Sequence, residues 1–275
     1  QSQILRQLLR ARRRELRYIK GVIDVPLTKL VIVSVWFAAL ALTERLRPAA
    51  PRPPRSDPSR LTRNLGLWAA NTLMNPLIIV PIAIGAAVLD FWSRPAMPVW
   101  AGLALDLLLL DLWVYLWHRA NHAWPLLWRF HRVHHLDEFL DTTSAVRFHP
   151  GEVLISALAR APLIMAADIS IVAIATFDTL ALAAALFHHS NVRLPAAFEA
   201  GLRTLIVTPS HHWVHHHAVR RDTDSNYGTV FTIWDRLFGT WSQAARTPDM
   251  SIGAEGAADR PLPDLAAAPF VVAGR

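Results

Sequence analysis

At 275 residues and a net charge of +7, the chain is 53% hydrophobic and only 18% charged, above the roughly 45–50% apolar content of soluble domains. Its lack of cysteine excludes disulfides, thiolate nucleophiles and cysteine-ligated zinc or iron–sulfur sites. In so apolar a chain the arginines read as headgroup and topology signals rather than as a nucleic-acid surface, and the wealth of alanine and arginine points to a bacterial source.

Residues 1–26 form a basic amphipathic segment. Within the first twenty, Ile4, Leu5, Leu8, Leu9, Leu16 and Ile19 stand among seven Arg and Lys, the pattern of a solvated basic helix or of one lying in a membrane interface. No apolar core with a cleavage site follows directly, so it does not read as a signal peptide. Residues 27–63 join a first apolar segment, 27–42, to the linker RLRPAAPRPPRSDPSR (45–60), whose five prolines no helix interior accommodates. The segment is short against the ~20 residues that span a hydrocarbon core, and is nevertheless expected to cross.

Residues 65–91 and 98–117 are each long enough to cross, the second carrying Asp106 and Asp111 within a Leu-rich run. A further apolar block, 153–188, is broken near its middle at Ala166-Ala167-Asp168. The expectation is an all-α integral membrane bundle, about four spanning helices in two hairpins, with a histidine-rich cap. Residues 64–245 would make the working domain, and the Ala/Pro-rich residues 246–275 a loose tail.

All thirteen histidines lie between 118 and 217. Each hairpin returns to the side that it left, so they share one membrane face. The arginines from Arg45 to Arg63 put that face in the cytoplasm by the positive-inside rule, in a bacterial inner membrane. Residues three and four apart on a helix are neighbours. That groups His118 with His122, His131 with His134 and His135, and His212 with His215 and His216, so the pattern His-x-x-His-His is written twice. His189 closes the second hairpin. Nine imidazoles exceed the needs of one four-coordinate zinc and suit two metals with positions left open. On a helix over 210–217, His211 and His217 fall off the face that carries the other three.

By ligand softness zinc, copper, nickel and iron all fit such a set. HExxH is absent and carboxylates are sparse near the clusters, which favours redox chemistry over hydrolysis. Asp111, Tyr115, His118 and His122 form one helical stripe. Asp111 could therefore accept the free ring N–H of a ligand, or bond to Tyr115 or another helix instead. Asp178, eleven residues before His189, is a second such candidate. Asp235 reads as an ion-pair partner of Arg236, a cap, or a metal contact, and Asn226 is similarly open.

The motifs HRANH (118–122), WRFHRVHH (128–135), RFHPGE (147–152), FHHSNVRLP (187–195), TPSHHWVHH (208–216) and NYG with WDRLFGT (226–240) resemble, in order, the fatty acid hydroxylase superfamily, also called the sterol desaturase family. The resemblance covers about residues 60–241. It implies a membrane-embedded di-iron oxygenase that uses O2 to hydroxylate or desaturate an unactivated C–H bond of a lipid. Electrons would come from a separate protein, a ferredoxin or a b-type cytochrome with its reductase. The ligands that it implies for two iron ions are His118, His122, His131, His134, His135, His189, His212, His215 and His216, with zinc able to substitute in purified protein. His149, inside a family motif, and His188 are ligand or pocket residues. Trp213 stands where the family commonly has a basic residue, and His188, His211 and His217 are extra to its pattern. Two other classes stay open, a b-type cytochrome-like electron carrier with paired axial histidines and a zinc-dependent membrane hydrolase. Sterol or hopanoid rings, carotenoids, acyl chains and alkyl ethers all remain as substrates.

Overall fold

A computed structural model describes residues 30–52, 58–89 and 93–271, and over these the chain is helical, with β-structure limited to three isolated bridges. The basic segment expected over 1–26 and part of the 45–60 linker lie outside the described residues. The first of the described helices, α1, covers residues 30–46. It lies along the later helix that ends in His188 and His189, where the Trp36 indole N–H donates to Ala183 O at 2.9 Å.

Among the described residues four helices are long and apolar enough to cross a membrane: Ser59–Val88, Val99–Ala123, Pro150–Ala167 and Ile171–His189. The first combines α2 (Pro58–Met74), a π-helical turn (Asn75–Ile79) and α3 (Val80–Val88). Pro76 has no N–H and crowds the carbonyl four residues earlier, and a wider turn relieves both problems. Val99–Ala123 is α4. It stops at Trp124, held extended (φ −101°, ψ 119°) by the proline that follows, and Pro125 then opens α5 (Pro125–His135) as its first residue. Pro150–Ala167 is α6, ended by Asp168 in the left-handed region at φ 51°. Ser170 then caps α7 (Ile171–His189) by accepting from Ala173 N. The break expected at Ala166-Ala167-Asp168 is this turn.

Two hairpins result, and their turns meet at the end away from the histidines, where Arg94 N donates to the Asp168 carboxylate at 2.9 Å. Asp106 in α4 is paired there with Arg94 at 2.5 Å, so an intramembrane carboxylate is neutralised by the adjoining turn. Between the hairpins Ala83, Leu110, Ile164, Ala173 and Phe177 form a buried core. On the outer faces Leu73, Leu77, Val99, Trp100 and Val172 are 62–89% exposed. An apolar exterior around satisfied backbone is the surface that a bilayer accepts.

The cap is fastened to α2 by buried charge. Arg60 pairs with Asp137 at 2.5 Å and with Asp141 at 2.8 Å. Arg147, fully buried, donates to Val133 O, Asn64 Oδ1 and Asp259. Burial pushes the Asp137 carboxyl up, but Arg60 and Arg147 outweigh it and hold the group below its ordinary value. Residues 246–271 are not the loose tail expected over 246–275. Leu265 and Ala268, on and just after a helix Leu262–Ala267, are buried against Leu67 and Val133. An Ala/Pro-rich composition marks irregular backbone, but says nothing about the apolar groove in which that backbone can lie.

Candidate metal centre

The ends of α4 and α7, the whole of α5, and a short helix α9 (Pro209–His215), which follows α8 (Ala196–Leu202), carry the histidines to one place. They form two groups. One comprises His118, His122, His131, His135 and His215, the other His134, His189, His212 and His216. Within each group one ligand atom per residue lies within 4.8 Å of all the others. The two groups adjoin, since the His135 and His216 rings stack at 4.3 Å between centroids.

The two His-x-x-His-His stretches divide in opposite senses. His131 and His135 serve the first group and His134 the second, whereas His212 and His216 serve the second and His215 the first. Positions i and i+4 point together and i+3 lies to one side, so a pair of such stretches facing each other builds two adjacent nests.

Ring orientation is set from behind. Nδ1–H donates from His118 to Tyr227 O at 2.9 Å, from His131 to Glu152 Oε1 at 2.7 Å and from His215 to Ser225 O at 2.7 Å. His189 donates to Ala185 O at 2.8 Å, while His134 reaches Arg147 O and His122 reaches Asp224 Oδ1, each at 3.2 Å. All six partners only accept, so the proton sits on Nδ1 and each Nε2 presents a lone pair inward. Yet His118 and His131 Nε2 are 3.1 Å apart, and His134 and His189 Nε2 are 3.0 Å apart. Neither member of either pair can donate to the other. His122 and His215 Nε2 are buried with no partner among the described residues. Converging lone pairs are unfavourable unless a cation lies between them. With metal–nitrogen bonds of about 2.1 Å, neighbouring nitrogens on one metal ion sit about 3.0–3.4 Å apart, so such an ion would fit between these rings.

Burial, and then the neighbouring imidazoles, hold His134, His135, His212, His215 and His216 well below the ordinary histidine pKa. They are neutral, the form that binds metal. A haem between paired axial histidines requires a clear plane between two nitrogens, and the crowding of four or five within 4.8 Å leaves none.

Other candidates fall elsewhere. His149 caps α6, accepting from Gly151 N on Nδ1 and donating from Nε2 to Ala266 O at 3.0 Å, which uses both nitrogens. His211 donates to Asp235 at 3.2 Å and His217 to Asp222 at 2.8 Å. Asp111 accepts from Val230 N, Phe231 N and the Trp234 indole rather than from a histidine. Tyr115 shares a hydrogen bond with Thr240, and Asp178 pairs with Arg160 at 2.6 Å. Asn226 donates to His211 O, and Asp235 gathers Tyr227 N, Gly228 N and Thr240 rather than pairing with Arg236. Of these, Asp111, Tyr115, His211 and Asp235 fasten residues 226–240 beside the first nest. The carboxylates that do meet the clustered histidines, Glu152 and Asp224, escape a search by helical spacing. Glu152 stands inside RFHPGE, beside the more conspicuous His149.

A cavity of about 450 Å³ adjoins both nests, with His118, His131, His134, His188, His189 and His212 at one end. It continues between α2–α3, α4, α6 and α7 past Ile79, Val114, Phe177, Ala181 and Leu182. His188 lines it and belongs to neither nest.

Residues 103–240, half of the chain, match the family model described as fatty acid hydroxylase. The chain is 29% identical over 187 residues to an ornithine lipid hydroxylase of Rhizobium tropici, covering 67% of this chain and 55% of that protein. It is 30% identical over 135 residues to an alkylglycerol monooxygenase of Danio rerio, covering 48% and 29%, and 33% identical over 146 residues to a cholesterol 25-hydroxylase-like protein of the same fish, covering 52% and 55%. The chain thus spans between 29% and 55% of the length of these curated relatives. No solved structure matches it.

Proposed function

Since the chain belongs to the fatty acid hydroxylase family, we propose that it is a membrane-embedded oxygenase that uses two iron ions, O2 and externally supplied electrons to hydroxylate a lipid. The observation that carries this reading is the pair of nests whose inward Nε2 lone pairs meet beside an intramembrane cavity. Bound by the five and the four histidines, the two irons would supply O2 activation, one oxygen atom entering a C–H bond while two electrons and two protons carry the other to water. The chain's own part is ligation, orientation and exclusion of water. Glu152, Asp224 and four carbonyls fix the imidazole tautomers, and Ile79, Phe177 and Leu182 offer a lipid chain an apolar wall.

Desaturation would draw on the same parts. The electron donor is proposed to be a separate ferredoxin, or a b-type cytochrome with its reductase, meeting the cap. We take residues 64–245 as the working unit, with the histidine face in the cytoplasm of a bacterial inner membrane. In support, that side carries Arg45, Arg47, Arg52, Arg129 and Arg132, whereas the described part of the two opposite turns holds Arg94 alone among Lys and Arg. Protease digestion of intact and opened cells carrying a C-terminal tag tests the orientation, since a tag cleaved in intact cells contradicts it.

The reaction is tested by lipid mass spectrometry of cells with and without the gene, under air and under nitrogen, alongside metal analysis of the purified protein. Gain of one oxygen, or loss of two hydrogens, only in air is expected, with two irons per chain. Turnover by hydrolysis without O2, or one metal per chain in fully active protein, would refute the proposal.

A further inference from the structure

The end of the cavity nearest the histidines is lined by residues that carry polar atoms without partners. Asn121, 2% exposed, donates its amide N–H to Glu152 Oε1, which leaves its Oδ1 buried and unpaired. Glu152, 7% exposed, accepts on Oε1 from His131, leaving Oε2 unpaired. His188, 2% exposed, leaves its Nδ1 buried and unpaired. Asn71 donates to Phe148 O at 2.8 Å and leaves Oδ1 unpaired. On the donor side stand the Trp117 indole N–H and the Nδ1 of His212, whose Nε2 faces His189 and His216 in the second nest. All six residues line the cavity.

Three of these atoms, Asn121 Oδ1, Glu152 Oε2 and Asn71 Oδ1, are acceptors, and buried acceptors left unsatisfied amount to a standing cost unless something enters that donates. Each stands close to a ligand. Glu152 touches His131, Asn121 touches Glu152, and the His188 ring lies 4.0 Å from that of His212. Phe148, held by Asn71, stacks on His134 at 4.4 Å. Farther along, the cavity also meets the Arg160–Asp178 ion pair, eight residues beyond Glu152 on α6, or roughly 12 Å along a helix axis. Those two satisfy each other and ask nothing of a substrate.

Resting on the oxygenase reading and extending it to the substrate, we propose that this end of the cavity seats the hydrogen-bond-donating head of an amphiphile, a hydroxyl or an ammonium group, and that oxidation falls on a carbon close to that head. The acyl or alkyl tail then lies along Ile79, Phe177 and Leu182, away from the metals. An amphiphile seated the other way, head on Arg160–Asp178, would be oxidised far down its chain.

The test is equilibrium binding to the metal-loaded full chain in lipid nanodiscs, with 1-hexadecanol and hexadecylammonium set against hexadecyl methyl ether and hexadecyltrimethylammonium. The capped probes keep the tail and lose the donor. A donor-bearing probe should bind at least about tenfold more tightly than its capped partner, because buried acceptors left unpaired penalise the analogue. Asn121→Leu and His188→Leu should each reduce that preference to about threefold or less, with two metals per chain retained. Equal binding of capped and uncapped probes overturns the proposal, as does a preference that survives both variants or loss of a metal from His188→Leu. Should neither variant accumulate, the wild-type product decides: an oxidised carbon nearer the terminal methyl than the polar group overturns the assignment, and one next to the head supports it. Binding needs no turnover, so a chain that binds donors but never consumes O2 would refute the oxygenase reading alone.

Discussion

Glu152 and Asp224 receive ring protons from His131 and His122 in the same nest but in different surroundings. Glu152 is buried, whereas the Asp224 side chain is 36% exposed and shared with Arg220. Removing a carboxylate that orients a ligand lowers metal affinity about 10–100-fold. Glu152→Ala should lie at the upper end of that range, and Asp224→Ala below it because water can replace the lost acceptor; metal retention under a graded chelator measures both. Replacing His212, His215 or His216 by alanine should each release metal and abolish activity. His217→Ala should keep two metals per chain, since its bond is to Asp222. Loss of a metal from His217→Ala with both kept in His212→Ala would contradict the assignment of the nests.

At the scale of elements, Asp111 shows how an intramembrane carboxylate serves packing. It ties Val230, Phe231 and Trp234 to α4, and that segment in turn presents Tyr227 O to His118. Asp111→Asn keeps the size and removes an acceptor, which should cost about 1–3 kcal/mol of stability. Both metals should be retained below the unfolding transition, as read by thermal melts with metal analysis. The stripe of Asp111, Tyr115, His118 and His122 is legible from spacing alone and does exist on α4, yet the first two members turn to the cap. Periodicity gives the direction in which a side chain leaves its helix. It does not give what has folded up against that side.

Across the whole molecule, charge and burial oppose each other in the nests. His134, His135, His212, His215 and His216 are depressed by burial and by one another, so the unfolded chain binds protons that the folded chain refuses. Stability from these groups is therefore fully present above the unfolded histidine pKa of about 6.5 and declines as pH falls below it. Each contributes a slope of about 1.4 kcal/mol per pH unit. Metal-free protein should accordingly melt at steadily lower temperature from about pH 6.5 downward, and the metal-loaded form should resist over the upper part of that window. A melting temperature flat between neutral pH and about pH 5 would mean that the nests take up protons freely when folded.

The spans, the break at Asp168, the shared face of the histidines and the all-α class follow from contiguous residues, because hydropathy and the helical repeat act over one or two turns. What those rules cannot reach is contact between distant parts of the chain. Glu152 meets His131 across 21 positions and Asp224 meets His122 across 102, while Leu265 packs on Leu67 from a segment whose composition suggested no packing at all. The division of the repeated His-x-x-His-His into nests of five and four belongs to the same class. Each stretch offers two directions on its own helix, and only the approach of α5 and α9 to each other and to the ends of α4 and α7 determines which imidazole joins which nest.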